Sequence, residues 1–168
     1  GAAGNRRIIR KGADEIAFTT ALCDLCRDLA YQMVKDGEGA TKVFRVKVMG
    51  ARSQRDADRI GKAIVGSPLV KTAIHGGDPN WGRIVAAIGR SGGAVRPDRL
   101  SIAIGDVGVF SRGQAAKLKV SVARKLNRIM QRKEVLITVG LDFGQAETEW
   151  LGCDLSRQYI AINADYTT

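Results

Sequence analysis

His75-Gly-Gly-Asp-Pro-Asn-Trp-Gly-Arg83, here called the central loop, holds three of the chain's 20 glycines, one of its three prolines and one of its two tryptophans. Adjacent glycines permit positive φ, and the proline biases the aspartate before it away from the helical region. Asp78 or Asn80 can cap a helix that begins near Trp81 and continues through the small apolar residues 84–89. The stretch therefore indicates a tight connection into a core helix, or a loop that also shapes a site.

Hydrophobic periodicity upstream of the central loop predicts two helices and one strand. Apolar residues recur at helical spacing from Ile16 to Val34, and Asp14 can cap this helix. Residues 43–48 alternate between apolar and basic, which is typical of a half-buried strand. Ser53 then begins a helix that runs to about Val65, and residues 69–74 form a short helix or an extended segment.

Downstream of the central loop the pattern predicts strands joined by turns, with one long helix among them. Residues 100–104 and 107–110 read as a hairpin, and Gln114 to Lys133 reads as a basic amphipathic helix without an acidic residue. Further strands are predicted at 134–141, 146–151 and, last in the chain, Tyr159 to Ile162. We therefore expect an α+β fold with mixed α/β sheet packing, in a single domain over residues 1–168.

Composition narrows the class of protein. A hydrophobic content of 45% and a mean hydropathy of −0.10 argue against disorder. No apolar run approaches a membrane span, and the first residues lack a signal-peptide core, so we expect a soluble cytoplasmic protein. The net charge of +10 allows nucleic acid or an acidic subunit as a partner. Only 5% of the residues are aromatic, which leaves few stacking platforms for single-stranded nucleic acid.

The cysteines form a weak motif. Cys23 and Cys26 make a CxxC, which can indicate redox chemistry or half of a metal site, but they lie within a helical pattern. Cys153 and His75, the single histidine, complete a poor zinc set. We therefore expect buried, inert thiols, no metal and no cofactor. The sequence also offers no Ser/His/Asp or Cys/His set, so no catalytic residue is assigned.

Four stretches in this order resemble one known family, the ornithine acetyltransferases, which are the bifunctional glutamate N-acetyltransferases of arginine biosynthesis. The resemblance covers most of the chain, and four ordered motifs make it specific where a single motif would be weak. The stretches are Asp36-Gly-Glu-Gly-Ala-Thr-Lys42, Ser67-Pro-Leu-Val-Lys-Thr-Ala73, Asp78-Pro-Asn-Trp-Gly-Arg83, and the ending Cys153-Asp-Leu-Ser156 through Ile162-Asn-Ala-Asp-Tyr-Thr-Thr168.

The resemblance implies three substrate-binding residues: Glu38, Asn163 and Thr168. From the residues alone, Glu38 is either an exposed loop glutamate or a ligand for an ammonium group, and the tail is either frayed or tied down. The family's pattern favours the ligand in each case, since an asparagine and a terminal hydroxyl with its carboxylate can orient an amino acid. The remaining polar residues near the central loop are expected to be structural, with Arg83 paired to a carboxylate; they are Lys71, Asp78, Asn80 and Arg83.

The resemblance also implies a mechanism and partners. The family is related to the DmpA-like N-terminal nucleophile hydrolases: a precursor cleaves itself before a threonine, whose hydroxyl then carries the acetyl group from N-acetylornithine to glutamate. This chain lacks that threonine and resembles the C-terminal portion of the family's β chain. The expected partners are therefore the upstream α chain and the N-terminal part of the β chain, and the chain alone should be inactive.

Two other classes of function stay open. The acid-free helix at 114–133 suits a basic nucleic-acid-binding module, although we expect nucleic acid not to be the partner. A chain that docks a further segment would instead be an assembly module without catalytic activity, with exposed apolar surface. That surface leads us to expect an oligomer.

Overall fold

A computed structural model describes residue 4 and residues 11–165 of the chain. It divides into two units, Gly1–Met33 and Val34–Thr168. Helix α1 (Ala13–Lys35) has Asp14 and Glu15 in its first turn and Lys35 in its last, charges that suit the helix dipole. Whether residues 1–168 behave as a single domain stays a prediction.

The remaining elements alternate between helices and strands. The helices are α2 (Gln54–Val65), α3 (Pro68–Gly76), α4 (Trp81–Gly89), α5 (Val120–Met130) and α6 (Arg157–Ala164). The strands are β1 (Val43–Ala51), β2 (Ser101–Ile104), β3 (Val107–Ser111), β4 (Gln114–Ala115), β5 (Glu134–Gly140) and β6 (Ala146–Cys153).

The six strands form one mixed sheet in the order β4-β3-β2-β5-β1-β6. Strands β1 and β5 pair in parallel, with Val46 opposite Ile137, and the other neighbours pair antiparallel. The α+β prediction is therefore confirmed, as are the hairpin of β2 and β3 and the positions of β1, β5 and β6.

One face of the sheet carries the core. Along β1, Phe44, Val46 and Val48 are fully buried, while Arg45 and Lys47 between them point to the half-exposed face and pair with Glu149 and Glu147 of β6. This is the alternation expected of a strand covered on one side. Helix α2 packs against β1 and β6, and because these two strands are antiparallel the start of β1 lies beside the end of β6, with Val43 opposite Cys153.

The central loop joins two core helices by backbone capping. Helix α3 ends at Gly77, whose φ is +69°; the amides of Gly77 and Asp78 donate to Ile74 and Ala73, the hydrogen bonds of a Schellman motif. Asn80 caps α4 by accepting from the amide of Arg83 at 3.1 Å. The helix predicted from Trp81 is therefore confirmed, with Asn80 as its cap.

The predicted last strand at Tyr159–Ile162 is wrong, because these residues lie in helix α6. Aromatic and β-branched residues favoured a strand, but the Ser156 hydroxyl accepts hydrogen bonds from the amides of Gln158 and Tyr159 and starts a helix.

The basic helix predicted from Gln114 begins later than predicted. Gln114 and Ala115 pair with β3 as strand β4, so α5 starts only at Val120.

The prediction of buried thiols is wrong for Cys23 and Cys26, which are exposed, while Cys153 is half-buried. None of the described residues of α1 is buried. The periodicity correctly identified which side chains share a face of this helix. It does not determine whether another surface covers that face, and burial of the thiols depended on such cover.

Two negative observations concern the described residues. None of their helices combines the length and apolar character needed to cross a membrane. Within residues 11–165, no group of three or more His, Cys, Asp or Glu side chains is placed to hold a metal ion.

Candidate functional site

Glu38 and Asn163 come together although 125 residues separate them. The Nδ2 of Asn163 donates to Oε2 of Glu38 at 2.9 Å and also to the carbonyl of Tyr159 at 2.9 Å. Both amide protons of Asn163 are thereby used. Its Oδ1 and the second oxygen of Glu38 have no hydrogen-bond donor among the described residues. The third residue that the resemblance implies, Thr168, lies outside those residues.

Two glycines let the Glu38 segment approach the C-terminal part of the chain. Gly39 has a φ of +65°, and a Cβ at that position would lie 2.6 Å from the amide nitrogen of Tyr159. A Cβ on Gly37 would lie 3.0 Å from the sulfur of Cys153. At Gly39 the positive φ and the close backbone require a residue without a side chain, whereas at Gly37 a Cβ would need Cys153 to shift.

Ser156 fixes this approach from the opposite side. Its hydroxyl donates to the carbonyl of Gly39 at 2.6 Å while accepting from the first amides of α6. The residue that begins α6 is therefore also the residue that holds the loop carrying Glu38. As a result, Asn163 is brought over Glu38 about two helical turns further along α6.

Asp154 is the most fully hydrogen-bonded side chain of the region. Its side chain is 0% exposed. Oδ1 accepts from the amides of Thr41 at 2.7 Å and Lys42 at 2.9 Å, and Oδ2 lies 2.5 Å from the hydroxyl of Thr41 and 2.8 Å from Nδ1 of His75. Its own amide donates to the carbonyl of Lys42 at 3.0 Å, which extends the pairing of β1 with β6 by one step.

These contacts keep Asp154 ionised. Burial by itself raises the pKa of this carboxyl, but hydrogen bonds from the Thr41 hydroxyl, the Lys42 and Thr41 amides and His75 together outweigh it and hold the pKa below its ordinary value. The carboxylate therefore accepts, rather than donates, in all four contacts at neutral pH.

Lys42 connects the same segment to two helix ends. Its ammonium donates to the carbonyls of Ile74 at 3.0 Å, His75 at 3.4 Å and Met130 at 2.8 Å, so it satisfies carbonyls at the C-termini of α3 and α5. Burial lowers the pKa of Lys42, while the charge of Asp154 raises it and that of Lys133 lowers it.

Thr41, His75 and Asp154 bring together a hydroxyl, an imidazole and a carboxylate that lie far apart in the sequence. The connections are not those of a catalytic triad, in which the histidine bonds the hydroxyl through one ring nitrogen and the carboxylate through the other. Here Nδ1 of His75 faces both partners, at 3.3 Å from the Thr41 hydroxyl and 2.8 Å from Asp154. The hydroxyl itself donates to the carboxylate, so the histidine does not activate it.

The residues expected to be structural hydrogen bond to groups of neighbouring elements. Asn80 caps α4 and also donates to Asp78 at 3.0 Å, and the carbonyl of Lys71 accepts from the amide of Leu155 at 3.3 Å. The predicted pairing of Arg83 with a carboxylate is wrong. Its guanidinium donates to the carbonyl of Leu69 at 2.9 Å and to the hydroxyl of Thr72 at 3.1 Å, which joins α4 back to α3.

The chain matches one protein family over its full length. A sequence model of the ArgJ family matches residues 1–168. The arginine biosynthesis bifunctional protein ArgJ of Bacillus cereus is 43% identical over 93% of this chain, and the glutamate N-acetyltransferase of Methanocaldococcus jannaschii is 46% identical over 90%. The chain belongs to the ArgJ family.

Structure and length add two facts about this member of the ArgJ family. The crystal structure of the arginine biosynthesis bifunctional protein ArgJ from Bacillus halodurans superposes with a TM-score of 0.91 at 39% identity, over 98% of this chain and 76% of the other. The two curated relatives are longer: the chain spans 38% of the Bacillus protein and 39% of the Methanocaldococcus protein.

Proposed function

We propose that this chain is the amino-acid-binding part of an arginine-biosynthesis enzyme that transfers an acetyl group from N-acetylornithine to glutamate. The names of the ArgJ relatives, one of them a glutamate N-acetyltransferase, support the reaction class. The acetyl group is carried by a threonine hydroxyl on a segment outside these 168 residues. This chain supplies residues that hold an ammonium group of the substrate.

The contact between Glu38 and Asn163 carries the proposal. Two residues selected for substrate binding from motifs at opposite ends of the chain hydrogen bond to each other at 2.9 Å. The two acceptor oxygens left over have no partner among the described residues. An ammonium group brings three donors and a positive charge, so the pair suits a primary ammonium better than a neutral or anionic group.

The roles within the site follow from this polarity. Glu38 pairs with the ammonium of the amino acid and Asn163 accepts a second hydrogen bond from it. Thr168 completes the orientation, as the resemblance implies. Charge-assisted hydrogen bonds of this type are shorter and roughly twice as strong as neutral ones, which suits a site that must select an amino acid.

The reaction takes place in two balanced halves. The threonine hydroxyl attacks the acetyl carbonyl of N-acetylornithine; the amide C–N bond breaks, and ornithine leaves with the proton on its amine. Glutamate's ammonium first gives one proton to solvent; the free amine then attacks the resulting ester, and as the C–O bond breaks the second proton of the amine passes to the threonine oxygen and restores its hydroxyl. An oxyanion hole stabilises each tetrahedral intermediate.

The same proposal includes self-cleavage before that threonine and a relation to the DmpA-like hydrolases. It also includes the α chain as a partner and a cytoplasmic location.

The test compares the product of the whole gene with the 168-residue chain in an assay of acetyl transfer from N-acetylornithine to glutamate. We expect the whole product to be active and the chain alone to be inactive. Glu38→Gln removes the charge but keeps the shape, so it should raise KM for glutamate by roughly 10- to 100-fold, since a hydrogen bond to a charged group contributes about 1.5–3 kcal/mol. Glu147→Gln, at an exposed glutamate of β6, is the matched control and should change nothing.

Each part of the proposal has its own contrary result. An active isolated chain would show that the nucleophile does not lie elsewhere. A whole product that does not transfer acetyl groups would refute the reaction. A KM as insensitive to Glu38→Gln as to Glu147→Gln would remove Glu38 from the binding site.

The basic helix supports a second, weaker candidate, a module that binds nucleic acid. Arg124, Lys125 and Arg128 of α5 are exposed, although Lys125 pairs with Asp106 in the turn between β2 and β3. Binding of this kind falls steeply with salt. A fluorescence titration with duplex DNA and with RNA at low salt that shows no binding would eliminate it.

A further inference from the structure

Asp154 lies beside the candidate site but hydrogen bonds to neither Glu38 nor Asn163, the two proposed substrate ligands. Its carboxylate holds the amides of Thr41 and Lys42, the hydroxyl of Thr41 and the ring of His75. Glu38, three residues before Thr41, contacts Asn163 instead. The backbone of residues 38–42 is therefore a direct route by which Asp154 can act on the site.

We infer that Asp154 is a positioning residue that sets the direction of the Glu38 carboxylate, an inference that rests on the proposed function. Glu38 is followed by two fixed points. The Gly39 carbonyl is held by Ser156 at 2.6 Å, and the Thr41 and Lys42 amides are held by one buried carboxylate. The peptide planes between these points have little rotational freedom, so the side chain that precedes them leaves the backbone in one direction.

The same short segment also places the second ligand. Asp154 pairs with Lys42 through its own amide, and Ser156, two residues later, begins the helix that carries Asn163. Residues 154–156 thus fix both the loop of Glu38 and the start of α6. A binding constellation needs its groups held to within about 0.5 Å, and this segment is what the two halves of the site have in common.

The negative charge matters because all four groups around Asp154 act as donors. A carboxylate accepts from all of them, whereas an amide of the same shape presents an NH2 group on one side. Both backbone amides donate to Oδ1, so an asparagine can keep these two bonds and turn its NH2 group towards Thr41. The substitution removes the negative charge, and hydrogen bonds to a charged acceptor are roughly twice as strong as neutral ones. Asp154→Asn therefore keeps the volume of the side chain and weakens its hold on the loop.

The kinetic test uses the whole gene product. Asp154→Asn should raise KM for glutamate by up to roughly 10- to 100-fold, the loss expected when the Glu38 contact itself is removed, and should change kcat less, because Glu38 holds the ammonium before it reacts. Asp56→Asn is the matched control. Asp56 is likewise a buried carboxylate that accepts from a hydroxyl, Ser53 at 2.8 Å, and a backbone amide, Ala94 at 3.2 Å, and its substitution should leave KM unchanged.

A second measurement needs no substrate. In the 168-residue chain, the NMR signal of the Asn163 side-chain amide reports its hydrogen bond to Glu38. Asp154→Asn should shift this signal although Asp154 makes no hydrogen bond to Asn163, and Asp56→Asn should not. Thr41→Val should shift it as well, and Thr41→Ser, which retains the hydroxyl, should restore it.

The outcomes separate the inference from the proposed function. If Glu38→Gln raises KM while Asp154→Asn leaves both KM and the Asn163 signal at wild-type values, the positioning role is wrong and the proposed function stands. If Glu38→Gln leaves KM unchanged, Glu38 is not a substrate ligand and the positioning role is wrong with it, while the reaction itself is judged by the activity of the whole product. Should Asp154→Asn not fold, the Thr41→Val and Thr41→Ser pair decides by the same two readouts.

Discussion

At the scale of single residues, the lowered pKa of Asp154 makes a prediction about acid stability. A carboxyl whose pKa is lower in the folded than in the unfolded chain, where it is about 3.9, stabilises the fold at pH values above the unfolded-state pKa. That contribution is lost as the pH falls through the folded-state pKa. Asp154→Asn should therefore lower the free energy of unfolding at pH 7 and should also reduce its dependence on pH below about 5.

Urea denaturation of the 168-residue chain at a series of pH values measures this. Both proteins retain Asp56, whose pKa is also lowered, so the stability of each should still fall in acid. The difference in stability between them should shrink as the pH drops. Parallel curves, with the same loss at pH 7 as at pH 3, would show that the ionised form of Asp154 contributes nothing specific.

Gly39 gives a second prediction at this scale. Gly39→Ala places a Cβ 2.6 Å from the amide nitrogen of Tyr159, at a φ of +65°. Overpacking of this kind costs about 1–3 kcal/mol, and we expect α6 to separate locally from the loop because none of its described residues is buried. Hydrogen exchange at the Tyr159 amide should accelerate by at least tenfold.

Gly92→Ala is the matched control for Gly39→Ala. Gly92 has a φ of +69° with nothing within 4 Å of the added Cβ, so it shares the conformational cost without the close approach. Unchanged exchange at Tyr159 in both variants would show that the Gly39 contact does not hold α6.

The two residues that meet at the site were found from the sequence, and the residues that support them were not. Glu38 and Asn163 stood in motifs whose family resemblance implied a role. Asp154 and His75 lie 79 residues apart, and neither local pattern indicates that they meet. A signal for Asp154 did exist: an aspartate three residues after a predicted strand, in a motif that resembles the family. Its partner could not be identified before the sheet order was known.

At the scale of elements, the packing of α2 on β6 depends on Gly61. A Cβ there would lie 2.3 Å from Cδ1 of Trp150, so the indole ring occupies the space that a side chain would fill. Gly61→Ala gains about 0.8–1.0 kcal/mol of helix propensity but meets an overpacking cost of about 1–3 kcal/mol. We expect a net loss of stability of up to about 2 kcal/mol, from the same two terms.

Chemical denaturation with Gly89→Ala as the control separates the gain in helix propensity from the cost of overpacking. Gly89 ends α4 with nothing within 4 Å of an added Cβ, so that variant should be neutral or slightly stabilised. A Gly61→Ala protein more stable than wild type would mean that Trp150 moves aside at little cost.

Elements with their own capping chemistry were predictable, and elements defined by tertiary contacts were not. Ser53 and Asn80 each cap the helix predicted to follow them. Residues 159–162 have the composition of a strand, and their helix follows from the Ser156 cap and its docking on Gly39. In the same way, Gln114 and Ala115 joined β3 because a turn at Arg112 and Gly113, both with positive φ, returns the chain to the sheet.

At the scale of the whole molecule, the exposed apolar face of α1 predicts association. Leu22, Leu25, Leu29 and Met33 recur at helical spacing and are all exposed. Such a face favours contact with another segment or a second copy of the chain. The 168-residue chain should therefore sediment as an oligomer, and Leu25→Glu with Leu29→Glu should shift it towards the monomer.

Gln32→Glu is the control for this experiment, since it adds a charge to α1 at a polar position. It should leave the sedimentation of the chain unchanged. A wild-type chain that sediments as a stable monomer across the accessible concentrations would contradict the oligomer prediction without touching the site at Glu38.

The central claim is that the paired side chains of Glu38 and Asn163 hold the ammonium group of an amino-acid substrate. A crystal structure of the whole gene product with bound glutamate tests it most directly. The account predicts the ammonium nitrogen within about 2.7–3.2 Å of the Glu38 carboxylate and of Oδ1 of Asn163. Glutamate bound elsewhere, with Glu38 and Asn163 hydrogen bonded only to each other, would contradict it.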